Sequence, residues 1–374
     1  MNDPTNTPDP DDALRAALRD GSAWDAFCDR LKAAGRLVQA VESVDREREL
    51  AEGYRYLTRL ARMGLELILE NGTPAAPALF YQNPTLKSGG DNPDNLYYWG
   101  RIRGTHRYRL DIQLQPNVDL SIIVYAGGLN RDGGRRTVGE LSLAKLHRDA
   151  DGRCVVHLGG EPRTRNWLPL SEDAGTLLIR ETVANRREAI PSRFAISCLD
   201  GHPPPPLDAL AMAKALRSVG GYVDYSIRYF AQMAEQWQHT PNRFFATDAS
   251  TVGSSFADSR YQYPSCYFSL QDDEVLLLEF TPPAGCFWNV VLSNHWFESL
   301  DYLHYPVHVN PLMHAFAPDA PVRIAIAARD PGLPGYHWLD TTGHRQGILN
   351  VRFVDAPPQP LPELRVVRTD RSPA

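Results

Sequence analysis

The chain has 374 residues, 43% of them hydrophobic and 22% charged, with a net charge of −6. That is the composition of a folded protein too long for one ordinary core. The modest negative charge argues against a sequence-independent nucleic-acid binder, which needs a basic face.

The five cysteines, Cys28, Cys154, Cys198, Cys266 and Cys286, are odd in number, far apart and in no C-x-x-C pair. A disulfide framework or a structural zinc site is not expected from them. Residues 1–12 are rich in Pro, Asp, Asn and Thr and read as a disordered tail. They carry no basic-then-apolar leader, and no apolar run approaches the roughly 20 residues that span a bilayer. The expectation is a soluble cytoplasmic protein with no membrane or nucleic-acid partner.

Residues 13–75 read as a helical segment. Leu14, Leu18, Trp24, Phe27 and Leu31 keep helical spacing, as do Tyr54, Leu57, Leu60, Met63 and Leu67. Asn71-Gly72 is a C-cap signal. This segment is expected to pack on the domain behind it or on another copy, so a homo-oligomer through these helices is one expectation.

Residues 78–200 read as a first β region. Leu110, Ile112 and Leu114 alternate with polar residues, and Leu120–Tyr125, Cys154–Leu158, Thr176–Thr182 and Phe194–Cys198 follow. Gly127-Gly128, Asp132-Gly133-Gly134, Asp151-Gly152 and Gly159-Gly160 mark hairpin turns between them. His202 and the four prolines after it break the chain stiffly. Residues 207–240 are a helical connection, interrupted at Gly220-Gly221, whose apolar face holds Val223, Ile227, Phe230, Met233 and Trp237. Such a face is more often core than cofactor site.

Residues 245–367 read as a second β region. Its last full strand places Ile348, Asn350 and Arg352 on one face and Leu349, Val351 and Phe353 on the other. Before it, the Asp330-Pro331-Gly332 turn and Gly343-His344 bracket a loop that presents Tyr336, His337, Trp338, Asp340 and His344. No P-loop, G-x-G-x-x-G after a strand, G-x-S-x-G elbow or H-E-x-x-H occurs.

Several stretches together resemble the domain-of-unknown-function 1214 family. They are Asp91-Asn92-Pro93-Asp94-Asn95-Leu96-Tyr97, Asn166-Trp167-Leu168, Leu177-Leu178-Ile179-Arg180-Glu181, Trp288-Asn289-Val290, Trp296 through Tyr302, and Trp338-Leu339-Asp340-Thr341 with Gly343-His344, Gly347 and Arg352. The resemblance implies a β-rich, sandwich-like protein and no particular reaction.

Three constellations carry possible chemistry. His295, His304 and His308, with Glu298 and Asp301, could ligate a metal, but no H-x-H occurs, and surface or hydrogen-bonded histidines are the simpler reading. Arg101, Arg103, Arg107, Arg109, Arg163, Arg165, Arg180, Arg186 and Arg187 could form an anion site, or pair with carboxylates across strands. Asn294 through Tyr305 is dense in aromatics with polar handles, the chemistry of a pocket for an apolar or ring-shaped ligand.

The fold class expected is α+β, mainly β: antiparallel β-sandwich or jelly-roll-like regions with an N-terminal helical segment and a central helical insertion. The function expected is binding of a small molecule, with no cofactor or metal, by Asn294, Trp296, Tyr302, Tyr305, Trp338, Arg352 and Tyr97. The alternative is a cofactor-independent hydrolase, lyase or isomerase using His344 with Asp340, or His295 with Asp301, as acid and base. A purely structural, oligomeric module is a third possibility.

Overall fold

The computed structural model describes residues 9–127, 135–201, 203–204, 206–246, 258–317 and 320–369. The expected turns at Gly128 and Asp132–Gly134 lie outside them, as do the first eight residues of the expected tail.

Helix α1 spans Pro10–Arg19, so the last residues of that expected tail are helical. The Asp9 carboxylate caps it by accepting from the Asp11 N–H, and Pro10 supplies the fixed φ of a first turn. Helices α2 (Ser22–Gln39) and α3 (Arg46–Leu65) follow, and α3 runs into a π-helical turn at Glu66–Glu70. Helix α4 spans Ala209–Gln238 without a break, contrary to the interruption expected at Gly220-Gly221. The reason is packing: a Cβ on Gly220 would sit 3.0 Å from Arg30 Cδ and 3.4 Å from Phe27, so the glycine admits α2 against α4. Asp208 caps α4 by accepting from the Ala211 N–H at 2.8 Å.

The first β region is two sheets face to face. One is antiparallel, in the order Leu79–Gln82, Asn95–Arg101, Ala174–Thr182, Asp119–Gly127, Arg135–Ser142. The other runs Arg193–Cys198, Tyr108–Gln113, Arg153–Leu158, Trp167–Leu168, with the last pair parallel. Leu110, Ile122, Val124, Val156, Leu177 and Ile179 are buried between them. The second β region repeats the plan. Gln346–Val354 lies between Trp288–Ser293 and the short strands Tyr261–Gln262 and Ser265–Ser269. Its partner sheet is His337–Asp340, Val322–Ala327, Glu274–Phe280, Glu363–Arg368. Leu276, Leu278, Ile324, Leu349, Val351 and Phe353 fill that core. Each such buried side chain contributes roughly 1.5–3 kcal/mol.

The helices cover the outer face of one sheet from each region. Trp99, Ile123, Tyr125 and Leu178 meet Met63, and Tyr267 and Ile348 meet Ala234 of α4. Trp296 enters the helical core with Val38, Tyr56, Leu60 and Ile227. The N-terminal helices are therefore part of the core of this molecule and not an appendage. This is the α+β, mainly β architecture that the residue patterns predict. No helix among the described residues is long and apolar enough to cross a membrane.

The loop 88–95 ties the β regions together. Asp91 accepts from the Ser299 N–H (2.9 Å) and hydroxyl (2.6 Å). Asn289 Nδ2 donates to Asn92 Oδ1 (2.7 Å) and Asp94 Oδ2 (2.6 Å), and Asn310 Nδ2 donates to Asp94 Oδ1 (2.9 Å). All of these side chains are buried, where hydrogen bonds to charged groups are strongest.

Candidate functional site

An interior cavity of about 150 Å³ lies where α3, α4, the loop 88–92 and one sheet of each β region meet. Met63, Leu67, Leu178, Phe230, Met233 and Phe297 give it apolar walls, and Tyr97, Trp99, Tyr222 and Trp237 give aromatic ones. The wall turns sharply at Gly89 and Gly90, both with positive φ (61° and 70°). A Cβ on Gly89 would meet the Phe230 ring at 2.4 Å, and one on Gly90 the Phe297 ring at 2.7 Å. Only glycine satisfies both the backbone and the space there.

Polar groups enter from two central strands. Arg180 projects from Ala174–Thr182 and Arg352 from Gln346–Val354. On each strand the alternate residues fill a sandwich core, so the arginines face the helices. They are 6% and 4% exposed. Arg352 Nη2 donates to the Gly90 carbonyl at 2.8 Å, and Arg180 lies 4.0 Å from Asp258 Oδ2 and 5.9 Å over the Tyr97 ring. Among the described residues Nη1 of each has no hydrogen-bond partner, and nor does Asn350 Oδ1 beside them. Burial opposes the Arg180 charge, but the Tyr125 phenol and the Asp258 carboxylate outweigh it and push its pKa up. Burial pushes the Tyr222 and Tyr261 hydroxyls up, so both are neutral phenols at physiological pH.

A second, polar cleft of about 540 Å³ lies between the 299–305 stretch and the Asp340–His344 turn. Of the residues expected to hold a ligand, Asn294 and Tyr305 line this cleft, and Trp296, Tyr302 and Trp338 do not. Trp296 is turned into the helical core, where its indole donates to the Glu49 carbonyl at 2.8 Å. Trp338 packs along the sheet and donates to the Ala327 carbonyl at 3.0 Å. Tyr302 is buried, with Lys87 Nζ 4.6 Å from its ring centre. Asn294 reaches the cleft and donates to Glu52 Oε2 at 2.9 Å. Tyr97 and Arg352 belong to the interior cavity instead.

The two acid–base pairs read from the sequence are re-partnered. His344 Nε2 contacts Glu52 Oε2 at 3.1 Å, and its Nδ1 lies 2.8 Å from the Thr341 carbonyl. The Thr342 hydroxyl also lies 3.0 Å from Nδ1, and the Glu52 carboxylate favours the charged form of the ring. Burial opposes that charge, and the Glu52 hydrogen bond raises the His344 pKa. Asp340 caps its turn by accepting from the Thr342 N–H at 2.7 Å. His295 is buried on the Tyr267 hydroxyl (2.9 Å), and burial lowers its pKa to about 4. Asp301 pairs with His304 at 2.9 Å. Neighbours in sequence are displaced here because Glu52 arrives from α3, a segment no local pattern connects to residue 344.

His295, His304 and His308 point to separate partners, and no three His, Cys, Asp or Glu side chains gather as a metal site among the described residues. Of the arginines read as a possible anion set, Arg107 pairs with Asp200, Arg109 with Asp111, and Arg101 donates to the Ile68 carbonyl. Arg180 alone of that set lines the cavity. The aromatic face of α4, read as core, supplies the cavity wall. The signal that could have found the site is a polar residue on the inner face of an otherwise apolar central strand, at Arg180 and at Asn350 and Arg352.

Fold and geometry together define a protein of two β-sandwiches packed on a helical layer, with an aromatic cavity at their junction. Residues 100–181 match the family model described as a protein of unknown function, DUF1214. A crystal structure of an uncharacterized protein from Burkholderia cenocepacia is 34% identical, covering 95% of this chain and 99% of its own, with a TM-score of 0.89. A protein from Vibrio parahaemolyticus is 11% identical over 84% of this chain and 97% of its own, with a TM-score of 0.47. No functionally curated protein matches. The chain belongs to the DUF1214 family.

Proposed function

We propose that this protein binds a small, largely apolar molecule in the interior cavity. The observation that carries the reading is the cavity itself. About 150 Å³ is the size that takes a one-ring molecule. Apolar and aromatic walls meet polar groups at Arg180, Asn350 and Arg352, which is the character of a site that buries a ligand and orients it. Ser226, small and 1% exposed on α4, faces it. Saturating toluene should raise the thermal midpoint of the wild-type chain and leave that of a folded Ser226→Leu variant unmoved, because the added carbons occupy the space. No shift in the wild type, or an equal shift in both, would refute the reading.

A second reading is favoured by the His344–Glu52 pair in the polar cleft. An imidazole whose pKa is raised by a carboxylate partner could serve as a general acid for a cofactor-independent hydrolase, lyase or isomerase. It requires turnover with a bell-shaped pH profile that His344→Gln removes. Turnover unaffected by that change would exclude the role.

A further inference from the structure

We propose that the molecule held in the interior cavity is a small monocarboxylate, its carboxylate gripped by the guanidiniums of Arg180 and Arg352 and its body by the aromatic wall. This rests on the reading that the cavity binds a small molecule and adds the chemical class.

Two arginines from different β regions line one small cavity, both more than nine-tenths buried. Each keeps an Nη1 without a protein acceptor. A buried N–H of a charged group that finds no acceptor is a strong demand for one. Tyr263, another wall residue, lies in the field of both cations, which places the two charges around a common region.

The nearby carboxylates are already engaged. Asp91 lines the cavity, but both its oxygens accept from Ser299, and Lys87 is its nearby cation. Asp258 Oδ2 lies 4.0 Å from Arg180 Nη1, beyond hydrogen-bond reach, and accepts instead from the Ser121 hydroxyl and from Arg260 Nη2 at 3.1 Å, while Oδ1 accepts from the Arg260 N–H at 3.0 Å. Among the described residues Arg352 donates to the Gly90 carbonyl. The hydrogen-bond acceptor that the two Nη1 groups lack among the described residues fits a negatively charged group from outside the chain. The planar fork of a guanidinium matches a carboxylate, and the cavity leaves room for one ring beside it.

The test is a titration of the full chain at pH 7, read by tryptophan fluorescence, with benzoate, its neutral isostere benzamide, and toluene. Trp99 and Trp237 line the cavity and report occupancy. Benzoate should bind at least tenfold tighter than benzamide. Arg352→Gln should lose at least tenfold for benzoate and keep toluene binding. If Arg352→Gln does not fold, Arg352→Lys, which keeps the charge but loses the fork, should lose severalfold for benzoate alone. Benzamide binding as tightly as benzoate would overturn the carboxylate assignment while leaving the cavity reading intact. Failure of all three compounds to bind would overturn the cavity reading and this inference with it.

Discussion

Glu49 offers a direct measure of how the helical layer is held on the second β region. It sits in the first turn of α3, 1% exposed, beside Glu52. Burial first, and the Glu52 charge second, push its carboxyl from 4.5 up to about 8. Its Oε2 has no partner. A folded-state pKa raised above the unfolded value means that the protonated acid favours the fold. That contribution is complete below about pH 4.5 and is lost as pH rises towards 8. Each pH unit in that window is worth about 1.4 kcal/mol, so by pH 7 ionisation of Glu49 in the unfolded chain, while the folded chain keeps its proton, has removed about 3 kcal/mol of stability. Glu49→Gln keeps the shape of the protonated acid without the titration. Urea unfolding of both chains at half-unit steps from pH 4.5 to 8 should give nearly equal stabilities at the acid end. The variant should then gain steadily, reaching about 3 kcal/mol near pH 7. A stability difference that does not change with pH would refute the reasoning, because it would mean that Glu49 titrates alike in the folded and unfolded chains.

Three further outcomes follow from the packing. Gly90→Ala forces a Cβ to within 2.7 Å of the Phe297 ring at a φ of 70°, and should cost about 2–4 kcal/mol in chemical unfolding. Trp296→Ala should destabilise by about 3–5 kcal/mol, since a side chain 1% exposed is removed from the helical core. Where that variant folds, toluene binding should persist, because Trp296 does not line the interior cavity. Arg260 bridges Asp119, Glu140, Asp258 and Asp355 at 2.6–3.1 Å, and Arg260→Met should lose about 3 kcal/mol by removing a cation from the buried Asp258 and the partly buried Asp119 and Glu140. Unchanged thermal midpoints would contradict each of the three.

Much of the architecture was legible in the residues because it follows local periods. Period-two alternation in 346–354 sorted Leu349, Val351 and Phe353 from Ile348, Asn350 and Arg352, and the structure buries the first set between sheets and turns the second to the helices. The helical spacing from Leu14 to Leu67 likewise marked a helical segment, which the structure divides into three helices. Gly220 misled, because a glycine admitting a neighbouring helix and a glycine ending its own helix are the same letter. Trp296 and Trp338 were read as ligand contacts from their chemistry, yet both spend their polar handle on a backbone carbonyl inside the fold.

What the chain determined alone is what neighbouring residues can decide: where strands and helices run, which face of each is apolar, and where caps and turns fall. What the tertiary structure decided is which separate segments share a space. Glu52 reaches His344 across 292 positions. Arg180 and Arg352 come to one cavity from different β regions, and α4 closes it between them. A charge's partner is set by distance in space, and the alternation that aims a side chain at one face of a sheet carries no information about what lies opposite it.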